Sequence, residues 1–107
     1  MSVDATVETF PALVAQGNVL IDFWGPRCVP CLALMPAVEK LEEEYGGALT
    51  LVKVNAAENR QIARDLKVIA MPTFVLYRDG VEVERLAGNP SAADVTAAVS
   101  RLVEGGE

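Results

Sequence analysis

Val19-Leu20-Ile21-Asp22-Phe23-Trp24-Gly25-Pro26-Arg27-Cys28-Val29-Pro30-Cys31 decides how the rest of the chain is read. Its first six residues are apolar apart from one acid, with β-branched Val19 and Ile21 among them, the pattern of a short strand buried on both faces. Gly25 to Pro30 holds a glycine and two prolines and reads as a loop. Beyond it, Leu34, Val38, Leu41 and Tyr45 recur on one face of a helix that continues to about Tyr45. Glu42-Glu43-Glu44 forms its solvated side, Pro36 is expected to kink it, and Gly46-Gly47 stops it. Cys28 and Cys31 therefore stand where a buried strand gives way to a helix.

That position carries the chemistry. Free N–H groups and the helix dipole at a helix N-terminus stabilise a thiolate. The thiol pKa falls, so the sulfur is ionised and nucleophilic near neutral pH. Cys28, at the cap, is expected to be the exposed attacking thiol. Cys31, one turn inside, is expected to be the shielded resolving thiol. Pro30 lacks an N–H, which the first helical turn tolerates, and so holds the pair in register. Two bland readings compete: a structural staple, or two inert buried cysteines. So short a loop removes little chain entropy when closed, which weakens the first. The strand–loop–helix setting of a CxxC pair weakens both.

Working outward, Glu8 to Gln16 reads as a helix with Phe10, Leu13 and Val14 on one side. Thr6 or Thr9 is placed to cap it, Pro11 fits its first turn, and Gly17-Asn18 ends it. Leu49 to Asn55 reads as a strand. Glu58 to Leu66 reads as a short helix with Ile62, Ala63 and Leu66 inward. Thr73 to Tyr77 is a further strand, Asp79-Gly80 a hairpin turn, and Val81 to Leu86 an alternating, half-exposed strand. Ser91 with Asp94 resembles a capping box for a last helix with Val95, Val99, Leu102 and Val103 buried. Glu104 to Glu107 reads as a loose tail. Strands alternating with helices imply parallel neighbours, and the hairpin adds an antiparallel pair. The expected fold class is α/β: one domain over residues 1–107, a mixed sheet with helices on both faces.

Composition removes whole classes of function. The chain has 107 residues, enough to bury a core without metals or staples. Nine basic against 15 acidic residues give a net charge of −6, which argues against nucleic acid as a partner. The absence of histidine removes Ser-His and Cys-His catalysis and His-based metal sites. Two cysteines cannot make a Cys₄ metal site within one chain. No apolar run approaches the roughly 20 residues of a membrane span. The start reads as one without a secretory leader, so the expected compartment is the reducing cytoplasm. Within this histidine-free chain, Asp22 is the best proton-transfer candidate, since burial raises a carboxyl pKa. The competing reading is a satisfied core aspartate paired with Lys53.

Asp22-Phe23-Trp24-Gly25-Pro26-Arg27-Cys28-Val29-Pro30-Cys31 resembles the active-site segment of the thioredoxin family, usually written DFWAxWCGPC. Met71-Pro72-Thr73-Phe74 is similar to that family's cis-proline segment. Asp79-Gly80 and Leu86-Ala87-Gly88 are similar to its hairpin and terminal glycine. The resemblance covers nearly the whole chain. It implies a central mixed sheet flanked by helices, with a first short strand near Val3 to Thr6. It implies that Asp22 sits behind the resolving thiol and helps move its proton, with Lys53 as its partner. It implies a cis Met71-Pro72 bond facing the cysteines, where an extended client segment pairs with backbone. The same resemblance implies regeneration by thioredoxin reductase; a monomer that needs no cofactor is expected.

Around the site, Trp24, Arg27, Val29, Pro30, Met71, Pro72 and Gly88 are the candidate client-contacting residues. Trp24 is expected partly in the core and partly beside the loop. Gly88 keeps the groove open or simply ends a strand in a turn. Three positions depart from the family pattern. Arg27 replaces an aromatic, Val29 a glycine and Leu32 a lysine. A cation beside Cys28 favours its thiolate, and Val29 stiffens the loop. The leading function is a thiol–disulfide oxidoreductase that reduces client proteins. A higher-potential oxidant or isomerase is the alternative. Further off stand a dimeric zinc or iron–sulfur protein and a non-catalytic binding subunit.

Overall fold

The structure is a computed structural model and describes residues 2–105. Its elements run β1 (Ser2–Asp4), α1 (Phe10–Leu13), β2 (Asn18–Trp24), α2 (Val29–Tyr45), β3 (Thr50–Asn55), α3 (Arg60–Asp65), β4 (Thr73–Arg78), β5 (Val81–Leu86) and α4 (Ala92–Glu104). A 3₁₀ turn over Gly46–Ala48 joins α2 to β3. The sheet order is β1-β3-β2-β4-β5. β2 lies at its centre, parallel to β3 and antiparallel to β4. This is the mixed α/β sheet expected from the alternation of strands and helices.

Side-chain alternation along β2 feeds two cores. Val19, Ile21 and Phe23 join Phe10, Val14, Val52, Val54, Ile62 and Val75 on the α1/α3 face. Leu20 joins Val38, Leu41, Leu51, Phe74, Leu76, Val95, Val99 and Leu102 on the α2/α4 face. Ala98 also belongs to the second cluster; its single methyl hides it from a hydrophobic-stripe reading. Pro36 lies inside α2, and the helix continues through it to Tyr45. Ser91 and Asp94 exchange backbone-to-side-chain hydrogen bonds at 3.1 and 2.9 Å, the full capping box.

Several boundaries move. α1 is a single turn rather than a helix from Glu8 to Gln16. Thr6 and Thr9 bond each other's N–H instead of capping it. Gly17, at φ +77°, leaves the helix because its N–H donates to Asp79 Oδ1 and its carbonyl accepts from Asp79 N–H. α3 begins at Arg60, because Asn55 Oδ1 accepts the Ala57 N–H and holds 55–59 as a turn. β1 pairs Ser2–Asp4 with Leu51, Val52 and Lys53, slightly earlier than Val3 to Thr6. Val81 and Val83 are more exposed than a half-buried strand implies, since β5 is the sheet's edge. Glu104 is helical rather than loose; Gly106 and Glu107 of the expected tail lie outside the described residues.

Candidate active site

Cys28 ends the loop that follows β2 and caps α2. Its backbone is extended, and its Sγ accepts a hydrogen bond from the Cys31 N–H at 3.3 Å. A sulfur that accepts from a free N–H at a helix start is held where negative charge is favoured. Cys28 and Cys31 are joined as a disulfide across one turn, with Cα atoms 5.2 Å apart. Cys31 is 1% exposed, whereas Cys28 is half-buried. The pair is thus asymmetric, with one sulfur reachable and one shielded.

The reachable sulfur opens onto a mostly apolar groove of about 520 Å³. Gly25, Pro26, Arg27, Cys28, Ala57 and Met71 line it. The Met71-Pro72 bond is cis, with Pro72 buried and Met71 at the groove. Val29 is 75% exposed and Pro30 is exposed beside it, so both form rim rather than floor. Neither Ala57 nor Gly25 is among the client-contacting residues read from the sequence. Ala57 comes from the turn after β3, and nothing local marks it as a neighbour of Cys28.

Two residues expected at the site do not line this groove. Trp24 borders a separate recess with Asp4, Thr6, Lys53, Asn55, Glu58 and Asn59, and does not line the groove. As the last residue of β2 its side chain follows the strand's alternation, not the loop's direction. Gly88, at φ +77°, also lies outside the groove lining, and a Cβ there would meet nothing within 4 Å. The left-handed backbone explains that glycine.

Asp22 is 1% exposed in the middle of β2, on the sheet face that packs against α2. Neither carboxylate oxygen has a hydrogen-bond partner among the described residues. Burial raises its pKa to about 7; the Lys53 charge pulls the other way, and Glu39 adds to the rise. Lys53 is the register partner of Asp22 on β3. The direct Asp22–Lys53 pair expected from the two strands does not form. Lys53 Nζ instead sits 3.1 Å from Glu39 Oε2 on α2. A partly exposed ammonium is better hydrated beside a surface carboxylate than drawn into the core.

Fold and site together define a dithiol–disulfide redox protein. The thioredoxin family model matches residues 2–101. The chain is 36% identical over 99 residues to the thioredoxin of Acetoanaerobium sticklandii, covering 90% of this chain and 94% of that one. It superposes on the thioredoxin of Malassezia sympodialis with a TM-score of 0.85 at 30% identity, covering 96% and 90%. A bifunctional thioredoxin reductase/thioredoxin of Mycobacterium leprae is 31% identical over 105 residues, 96% of this chain and 23% of that longer protein. The chain belongs to the thioredoxin family. It is a thiol–disulfide oxidoreductase of the protein-disulfide-reductase type, built around the Cys28–Cys31 pair.

Proposed function

We propose that Cys28 attacks a client disulfide while Cys31 and Asp22 complete the exchange. The Cys28 thiolate displaces one client sulfur and forms a mixed disulfide. Cys31 gives its proton to the Asp22 carboxylate, attacks Cys28 Sγ and releases the second client thiolate. Two electrons pass from the dithiol to the client, leaving Cys28 and Cys31 oxidised. The observation that carries this reading is the asymmetry of the pair: a groove-facing sulfur at the helix cap, and a buried one a turn inside.

Met71, ahead of the buried Pro72, forms with Arg27, Val29 and Pro30 the surface an extended client segment would meet. The oxidised pair is returned to the dithiol by thioredoxin reductase. The fused reductase/thioredoxin of Mycobacterium leprae supports a partner of that kind. We take the working form to be a monomeric single domain in the cytoplasm. Among the described residues, no helix is long and apolar enough to cross a membrane.

A redox titration of the Cys28–Cys31 pair, read by thiol trapping, tests the direction of electron flow. A reductant is expected near about −270 mV. A midpoint near about −120 to −180 mV would make the protein an oxidant or isomerase instead.

A further inference from the structure

Asp22 and Lys53 are opposed in register on β2 and β3. Alternation puts both on the sheet face that carries Leu20 and Leu51 and packs under α2. Opposite charges so placed ordinarily close on each other. Here they do not: both Asp22 oxygens lack a hydrogen-bond partner, and the ammonium is taken by Glu39 at 3.1 Å. Glu39 lies on α2 eight residues, about two turns, beyond Cys31. The helix that carries the redox pair therefore also carries the group that diverts the Asp22 counter-ion.

We propose that Glu39 is a positioning residue: by holding the Lys53 ammonium at the α2 surface, it keeps the Asp22 carboxyl unpaired and able to carry a proton. This rests on the reading of Asp22 as the proton acceptor for Cys31. A carboxylate in direct contact with an ammonium stays ionised well below neutral pH and is a poor base. One left unpaired in an apolar wall takes up a proton near neutrality, in step with a thiol. The Glu39–Lys53 contact is half in solvent, with side chains 49% and 18% exposed, so its contribution to folding is small. Its consequence lies in where it leaves the cation.

The other charges around this wall do not substitute for Glu39. β4 places Phe74 opposite Asp22. β1 contributes Asp4, the register partner of Lys53, and Glu58 borders the same recess as Lys53. Neither is bonded to Lys53 among the described residues; the ion pair goes to Glu39. From α2 itself come Glu39 and the shielded Cys31.

The test is a carbon-13 NMR titration of the Asp22 carboxyl in the full chain, alongside the pH–rate profile for reduction of a peptide disulfide. Glu39→Gln is expected to lower the Asp22 midpoint by about 0.5 to 1 unit, as Lys53 turns inward. Glu39→Asp keeps the contact and stays near the wild-type midpoint. Lys53→Met raises it. In the Lys53→Met background the effect of Glu39→Gln shrinks, because no ammonium remains to redirect. An unchanged or raised midpoint in Glu39→Gln overturns the proposal. So does an equal effect with and without Lys53, since Glu39 would then act only through its own charge. A midpoint that falls while the rate profile stays fixed upholds the positioning role and removes Asp22 from the exchange step.

Discussion

Adjacent residues of one strand, Asp22 and Phe23, point to opposite faces of the sheet and meet opposite treatment. Phe23 joins a cluster of apolar side chains that includes Ile21, Val52, Val54, Ile62 and Val75. Asp22 enters a face that is equally apolar lower down, at Leu20, Leu51, Phe74 and Leu76, yet ends under the helix bearing the cysteines. Both side chains are at most 1% exposed. One burial removes apolar surface from water and stabilises the fold. The other strands a carboxyl without a hydrogen bond, which costs stability. A local rule broken at Asp22, on the face that packs against the cysteine-bearing helix, is the kind of exception that accompanies a functional site.

The largest expected effect falls on the cysteines at the start of α2. Cys28→Ser should abolish disulfide reduction, while Cys31→Ser should still attack and then accumulate the mixed disulfide, visible by mass spectrometry. Trapping by Cys28→Ser instead would reverse the assigned roles. Next comes Phe23→Ala, which empties a fully buried site on the other face. It should destabilise the protein by about 3–5 kcal/mol in denaturant unfolding and leave the Cys28 chemistry intact.

Asp22→Asn should do the reverse on both counts. With a folded pKa near 7 against an ordinary 3.8, Asp22 is protonated in the folded chain at pH values where the unfolded chain has released the proton. The unfolded state then binds fewer protons, so stability falls as pH rises from about 4 to about 7. Above that window the loss is complete, of order 4 kcal/mol. The asparagine variant should therefore lack this pH dependence and be the more stable protein at pH 8. Its exchange rate near neutral pH should drop by about tenfold or more, since a positioned base is lost. A variant that loses neither rate nor pH dependence would make Asp22 an ordinary core residue and dissolve the contrast between the faces.

The parts legible in the sequence are those whose cause is local. Apolar periodicity marks β2 and α2, Asp79-Gly80 marks the hairpin, and Ser91 with Asp94 announces the cap of α4 three residues apart. What was misplaced depends on contacts distant in the chain. α1 is cut short because Gly17 bonds Asp79, 62 residues away. The expected Asp22–Lys53 pair does not close although the two are in register on β2 and β3, because Glu39 arrives from α2 and takes the cation. Glu39 follows the buried Val38 on the exposed side of that helix, so periodicity files it with the solvated charges. Ala57 and Met71 meet at the groove only because the turn after β3 and the start of β4 converge there.

The smallest expected effect concerns Arg27, which extends the contrast to the outer side of the disulfide. Asp22 lies on the sheet face under α2, buried and without a cation in contact; Arg27 lies beside Cys28, exposed, on the groove rim. An exposed guanidinium acts through high dielectric and is screened by salt, so its influence on the thiolate is modest. Arg27→Ala should raise the Cys28 thiol pKa by about half a unit or less at low ionic strength, measured by thiolate absorbance in the reduced protein. The difference should shrink at high salt, whereas the Asp22 titration, shielded from solvent, should hold nearly constant. A shift that survives high salt would mean that Arg27 acts by shaping the loop instead of by its charge. No shift at any salt would leave the helix N-terminus alone responsible for activating Cys28.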